Sequence, residues 1–202
     1  MEIAWILKNV AAGVLLSATV SFAALPAVVA ENIVPSDDND TYSPDEIVEK
    51  AADFFGATTE AVAKATESIF RQYGRPNAYI EGGEGSGAFV VGLRYGAGDL
   101  SMKRTGDQKT KVYWQGPSVG FDFGGNASKT FTLVYRLPNP EAIYQRFPGV
   151  EGSFYYVAGI GVNYQQNGRV ILAPMRTGVG LRAGANVGYL SYSKTTLMLT
   201  VF

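Results

Sequence analysis

Glu81, Glu84, Asp99, Asp107, Asp122 and Glu151 are the carboxylates that could move a proton in the strand-patterned, glycine-rich segments beyond residue 75, and few other groups there could assist them. The sequence holds no histidine and no cysteine. That removes the commonest general base, the serine-histidine-aspartate triad and the usual zinc sites. An enzyme built on this chain would need two carboxylates across one cleft, as glycosidases have. All but Asp122 fall in glycine-rich turns, where acids are ordinary solvated residues. Asp122 lies between Phe121 and Phe123, on the small-residue face that it shares with Gly120 and Gly124. A charge on that face has to meet solvent or a partner. With only one acid so placed, the reading is a protein that is not an enzyme and that carries no metal and no cofactor.

Arginines supply the candidate partners. By the alternation of strand side chains, Arg94 and Arg136 point away from the bulky faces of their own strands, and Arg182 with Asn186 does the same in another. Arg94, Asp122, Arg136 and Arg182 are therefore expected to line a polar lumen that receives the charged or hydroxylated end of a ligand. The same alternation equally allows the wet outer face of a barrel filled by its bulky residues, and parity does not choose between the two.

Two runs match a dinucleotide-binding fingerprint loosely, Gly83-Glu84-Gly85-Ser86-Gly87-Ala88 and Gly178-Val179-Gly180-Leu181-Arg182-Ala183. Each leads into a strand pattern, so no helix N-terminus is available for a pyrophosphate, and both read as turns and strand bends. Tyrosines are abundant, with Tyr113-Trp114 and Tyr155-Tyr156 adjacent, which invites sugar or lipid binding. Strands of barrels are rich in aromatic residues in any case, so that signal is unspecific.

The elements that must position these groups follow from the hydrophobic period. Ser43-Pro44-Asp45-Glu46 is a capping box with proline at the first helical position. Ile47, Val48, Ala51, Ala52, Phe54 and Phe55 continue it at helical spacing until Gly56. A second helix over 59–73 carries Val62, Ala65, Ile69, Phe70 and Tyr73 on one stripe, ended by Gly74 and Pro76. From Asn77 the period changes to two. Strands are expected over 89–95, 119–123, 131–137, 156–162, 169–175, 179–185, 187–192 and 195–202, with a short helix over 139–147. The fold class is mainly β, a small closed antiparallel β-barrel of about eight to ten strands with the two N-terminal helices packed on it.

Residues 1–30 read as a secretory signal peptide: Lys8 precedes an apolar stretch from Val10 to Val20, and small residues end the segment at Ala30. The apolar core is about half the roughly 20 residues a spanning helix needs, and Pro26 interrupts it. Residues 31–42 are polar and acidic and read as a disordered leader. The helices take 43–74 and the barrel 75–202, as one domain. The 17 basic and 18 acidic side chains leave no basic field for nucleic acid. The expected product is periplasmic, without a membrane anchor after cleavage, and monomeric.

The segments Tyr-Ser-Pro-Asp-Glu-Ile-Val-Glu-Lys-Ala-Ala-Asp-Phe-Phe-Gly from Tyr42, Gly-Leu-Arg-Tyr-Gly-Ala-Gly-Asp-Leu from Gly92, the run 115–135 and Asn-Val-Gly-Tyr-Leu-Ser-Tyr-Ser-Lys-Thr-Thr from Asn186 together resemble the EipA family of alphaproteobacterial periplasmic proteins, a domain of unknown function tied to envelope integrity. Residues 118–143 and the closing 184–196 are similar, at the level of pattern, to the SYLF (Ysc84-like) domain. The resemblances imply a small soluble β-barrel behind two helices and no catalytic motif. The chain lacks the basic amphipathic N-terminus with which some SYLF proteins reach anionic membranes, so phosphoinositide binding is not carried over.

The function expected is non-enzymatic support of the cell envelope, with a lipid or a peptidoglycan fragment as the candidate ligand. The competing classes are an outer-membrane β-barrel and a carboxylate-based cell-wall hydrolase.

Overall fold

The computed structural model describes residues 38–88, 91–106, 108–119, 126–150, 153–177 and 188–196. The signal peptide, most of the acidic leader and the expected strands over 119–123, 179–185 and 195–202 lie wholly or largely outside these residues. The end of the leader is built in, contrary to the boundary at 42. Asp38–Asp40 form a 3-10 turn, and Thr41 and Tyr42 are buried. Tyr42 donates its N–H to Pro76 O and sets its ring edge-on to Tyr79 at 5.2 Å, so a single aromatic anchors what composition marks as unstructured.

Helix α1 (Pro44–Phe55) opens on the capping box: Glu46 N–H donates to Ser43 Oγ and Ser43 N–H to the Glu46 carboxylate. Gly56 ends it with φ +64, a left-handed cap that a residue without Cβ adopts at no steric cost. Helix α2 (Thr59–Tyr73) follows, and its apolar stripe matches the expected one. Ile47, Ala51, Val62, Ala65 and Ile69 are fully buried, Phe55 nearly so, and Phe54 and Phe70 are half-buried rather than enclosed.

Among the described residues ten strands make one antiparallel sheet: β1 (Ala78–Ala88), β2 (Val91–Met102), β3 (Lys109–Val119), β4 (Asn126–Tyr135), β5 (Arg146–Pro148), β6 (Tyr155–Val157), β7 (Ile160–Val162), β8 (Gln165–Asn167), β9 (Val170–Arg176) and β10 (Tyr189–Ser193). Their order is β5-β10-β3-β2-β1-β4-β9-β7-β6, with β8 also on β9. The sheet curls, with the helices against one face. Three expectations are corrected. The glycine-rich run before residue 89 is the second half of strand β1 and not a turn. The segment 156–162 is a hairpin, because Ala158 and Gly159 take positive φ and reverse the chain. The expected helix over 139–147 is only a 3-10 turn, Pro140–Ile143, after which Phe147 enters β5.

Strand alternation then gives two cores. On the outer face Tyr79, Phe131, Leu133, Tyr135, Ala173 and Met175 meet the helices. On the inner face Ile80, Leu100, Val112, Trp114, Val134, Leu172, Leu190 and Tyr192 converge from β10, β3, β2, β1, β4 and β9, six successive strands of the order, which marks the concave side.

Candidate functional site

Glu84 is the centre of the inner face. It follows Ala78, Ile80 and Gly82 at even spacing in β1, so it points with them into the curl, where it is only 6% exposed. Its Oε1 lies 3.1 Å from Arg94 Nε and 3.1 Å from Arg176 Nε, and its Oε2 accepts from Trp114 Nε1 at 3.0 Å. Arg176 Nη1 donates to Asn163 Oδ1. Four elements thus meet on one carboxylate: β1 gives the acid, β2 and β9 the guanidiniums and β3 the indole. Tyr192 of β10 stands beside them, 5.8 Å from Trp114 ring to ring. Burial pushes its hydroxyl far above the ordinary tyrosine value, Glu84 adds to the rise, and the two arginines oppose it.

Glycines make this convergence possible. A methyl group on Gly96 would lie 2.2 Å from Trp114 Cε2, and one on Gly82 would lie 2.6 Å from Trp114 Cη2 and 2.4 Å from the Ala97 carbonyl oxygen. The indole therefore occupies the volume that side chains at 82 and 96 would fill, and its N–H reaches Glu84 across them. The small-residue face of this part of the sheet is the inside, not a wet exterior.

Of the expected lumen residues, Arg94 is in the cluster with a side chain 13% exposed. Arg136 is not: it is exposed just past the end of β4, with φ +57 carrying the chain away from the sheet. Asp122 and Arg182 lie outside the described residues. Glu84 and Arg176, neither of them among the expected lumen residues, complete the cluster around Arg94. Gly82, Gly83, Gly85 and Gly87 around Glu84 give it the sequence signature of a solvated turn residue, whereas a period-two count from Ala78 and Ile80 places it inward, as the structure does. Glu81 and Asp99, also read as turn acids, are strand residues of the outer face, ion-paired with Lys109 and Lys111.

On the opposite side of the same strands lies a cleft of about 460 Å³ lined by Gly83, Gly85, Leu93, Tyr95, Tyr113 and Gln115, with Trp114 reached through Gly96. Tyr95 is 58% exposed, and its ring packs over Gly85. Space beside Gly83 is open for at least 4 Å where a side chain would project. Ser193 and Thr196 border the cleft with hydroxyls. Its surface offers aromatic faces and neutral hydrogen-bonding groups, and among the described residues no charged side chain lines it.

The family model described as Envelope integrity protein A matches residues 40–201. The chain belongs to this family. A crystal structure of a β-barrel-like, uncharacterised protein from Brucella abortus is 46% identical, with TM-score 0.68, over 77% of this chain and 96% of that one. Among curated proteins no relative matches the chain. Membership in the Envelope integrity protein A family agrees with the resemblance carried by the helical segment and the strand motifs. Among the described residues no group of acids has the placement to hold a metal ion, and no helix is long and apolar enough to cross a membrane.

Proposed function

We propose that this protein supports the cell envelope as a non-enzymatic binding barrel in the periplasm, holding a lipid or a cell-wall fragment in the outer cleft around Tyr95. The observation that carries the reading is an exposed aromatic ring beside a glycine floor, in a cavity whose volume falls within the ordinary range of small-ligand sites. A flat apolar face with a polar edge suits a sugar ring or an acyl chain. Glu84 supports the non-enzymatic reading, since both of its oxygens are already engaged by arginines and an indole. The helices support a protein outside the bilayer, because α1 and α2 occupy the sheet face that a spanning barrel would present to lipid. Closure of the barrel belongs to the same proposal: Gly149 bridges Gln165, and Asn167 Nδ2 donates to Arg146 O, linking β8 to β5, which ends the strand order.

The test uses Gly83→Leu, whose Cβ would have no atom of the surrounding fold within 4 Å and whose side chain would project into the cleft. Native mass spectrometry of protein purified from its own periplasm should find a bound lipid or muropeptide on the parent and none on the variant at unchanged unfolding midpoint. A parent that carries nothing, or a variant that carries the same species, overturns the cleft as the binding site.

A further inference from the structure

The outer cleft is built on two successive cross-strand rows of the sheet. Gly83, Ala97, Tyr113 and Ser193 stand in register in one row, and Gly85, Tyr95 and Gln115 in the next. Glycine at 83 and 85 removes the side chains that would fill the β1 end of both rows. Tyr95 lays its ring into the second gap, with Cζ, Cε2 and Oη 3.1 to 3.2 Å from where a Cβ of Gly85 would stand. A ring held against backbone and still 58% exposed offers a flat apolar face to whatever enters the cleft. Tyr113, diagonal to Tyr95 across β2 and β3, is within reach of the same ligand.

The lining separates two ligand classes. An acyl chain gains affinity by taking methylenes out of water, which needs an enclosed aliphatic wall. Among the described lining side chains only Leu93 and Ala97 are aliphatic. A pyranose ring needs instead an aromatic face for its C–H side, and neutral donors and acceptors for its hydroxyl edge. Gln115 supplies both ends of an amide, and Ser193 Oγ, which donates to Thr195 O at 2.8 Å, keeps lone pairs to accept with. Charges beside the cleft are engaged within the fold. Glu81 pairs with Lys109 and Asp99 with Lys111, while Lys129, opposite Gly83, donates to Phe54 O at 2.8 Å with its ammonium over the Phe54 ring. That arrangement favours an uncharged ligand over an ionic headgroup.

We propose that the outer cleft selects a neutral pyranose chain rather than an acyl chain, with one sugar ring stacked on Tyr95 and its hydroxyls bonded at Gln115 and Ser193. This rests on the reading of the cleft as the binding site and narrows that reading to carbohydrate. N-acetylated and plain hexose chains share the required chemistry.

Full-length processed protein is titrated by calorimetry with tri-N-acetylchitotriose, with maltotriose and, below its micellar concentration, with lauroyl lysophosphatidylcholine. At least one trisaccharide should bind with a dissociation constant below about 1 mM, and the lysolipid should not compete with it. Binding of chitotriose alone assigns an N-acetylated chain, and binding of maltotriose a plain hexose chain. Tyr95→Phe keeps the flat face and should stay within about threefold of the parent affinity. Tyr95→Leu covers Gly85 with an apolar side chain that has no flat face, so it should fold as the parent does and bind the trisaccharide at least about tenfold more weakly. Binding of the lysolipid alone, kept in Tyr95→Leu and lost in Gly83→Leu, overturns the carbohydrate assignment and leaves the cleft standing as a binding site. Failure of all three probes also overturns the assignment, and the cleft itself falls only if the periplasmic protein carries no species that Gly83→Leu loses. Equal trisaccharide affinity in the parent and Tyr95→Leu overturns it as well, because the sugar then sits elsewhere.

Discussion

Glu84 holds its place by being satisfied rather than by being solvated. Burying a carboxylate costs several kcal/mol, and only close ion pairs and hydrogen bonds to both oxygens offset it. Removing the charge leaves two guanidiniums facing an amide whose N–H groups meet donors. Glu84→Gln should therefore lower stability by about 3–5 kcal/mol in urea unfolding at neutral pH. Glu81→Gln is the matched control. It removes an outer pair whose lysine is 54% exposed, and it should change stability by less than about 1 kcal/mol. Equal midpoints for the two variants would mean that water reaches the inner cluster freely.

At the scale of elements, α1 is set by one residue with three tasks. Glu46 closes the capping box on Ser43, accepts from Lys103 just beyond β2, and lies in the positive first turn of the helix. The Lys103 ammonium and the Ser43 N–H hold its carboxyl down at about 2, against 4.5 for the free group. A depressed carboxylate pKa contributes stability that is full above about 4.5 and is lost as pH falls toward about 2. Because the Glu46 side chain is 37% exposed, solvent screening keeps this on the order of 1 kcal/mol. Glu46→Gln should cost that amount at pH 7 and almost nothing near pH 2, read as the difference between parent and variant unfolding curves. A difference that does not shrink on acidification would show the glutamate acting through packing instead of charge.

The molecule as a whole solves a packing problem with no disulfide to help it, since the chain contains no cysteine. One sheet is covered on its outer face by two helices and filled on its inner face by aromatic and aliphatic residues, with the charged cluster toward one part of the interior. If export removes residues 1–30, intact-mass measurement of protein recovered from the periplasm should give a chain beginning at Glu31, monodisperse without detergent. Recovery of the full-length mass in membrane fractions, released only by detergent, would instead favour an outer-membrane or anchored form.

Local chemistry was enough for the helices, because a capping box, a 3.6-residue apolar stripe and two terminal glycines act within a few residues of one another. It was enough, too, for the change to strands after Asn77 and for the shift of function away from histidine and cysteine chemistry. The interior was not legible in the same way. Alternation divides a strand into two faces, but the curl of the whole sheet and the docking of α1 and α2 decide which face becomes the inside. Phe131, Leu133 and Tyr135 turned out to lie under the helices, while Arg94 with Gly96 and Gly98 faced inward. The glycines of β1 and β2 look like a turn because the reason for them is an indole on β3. That indole meets Gly82 and Gly96 only once the strands are paired, and with it the buried carboxylate gains its partners.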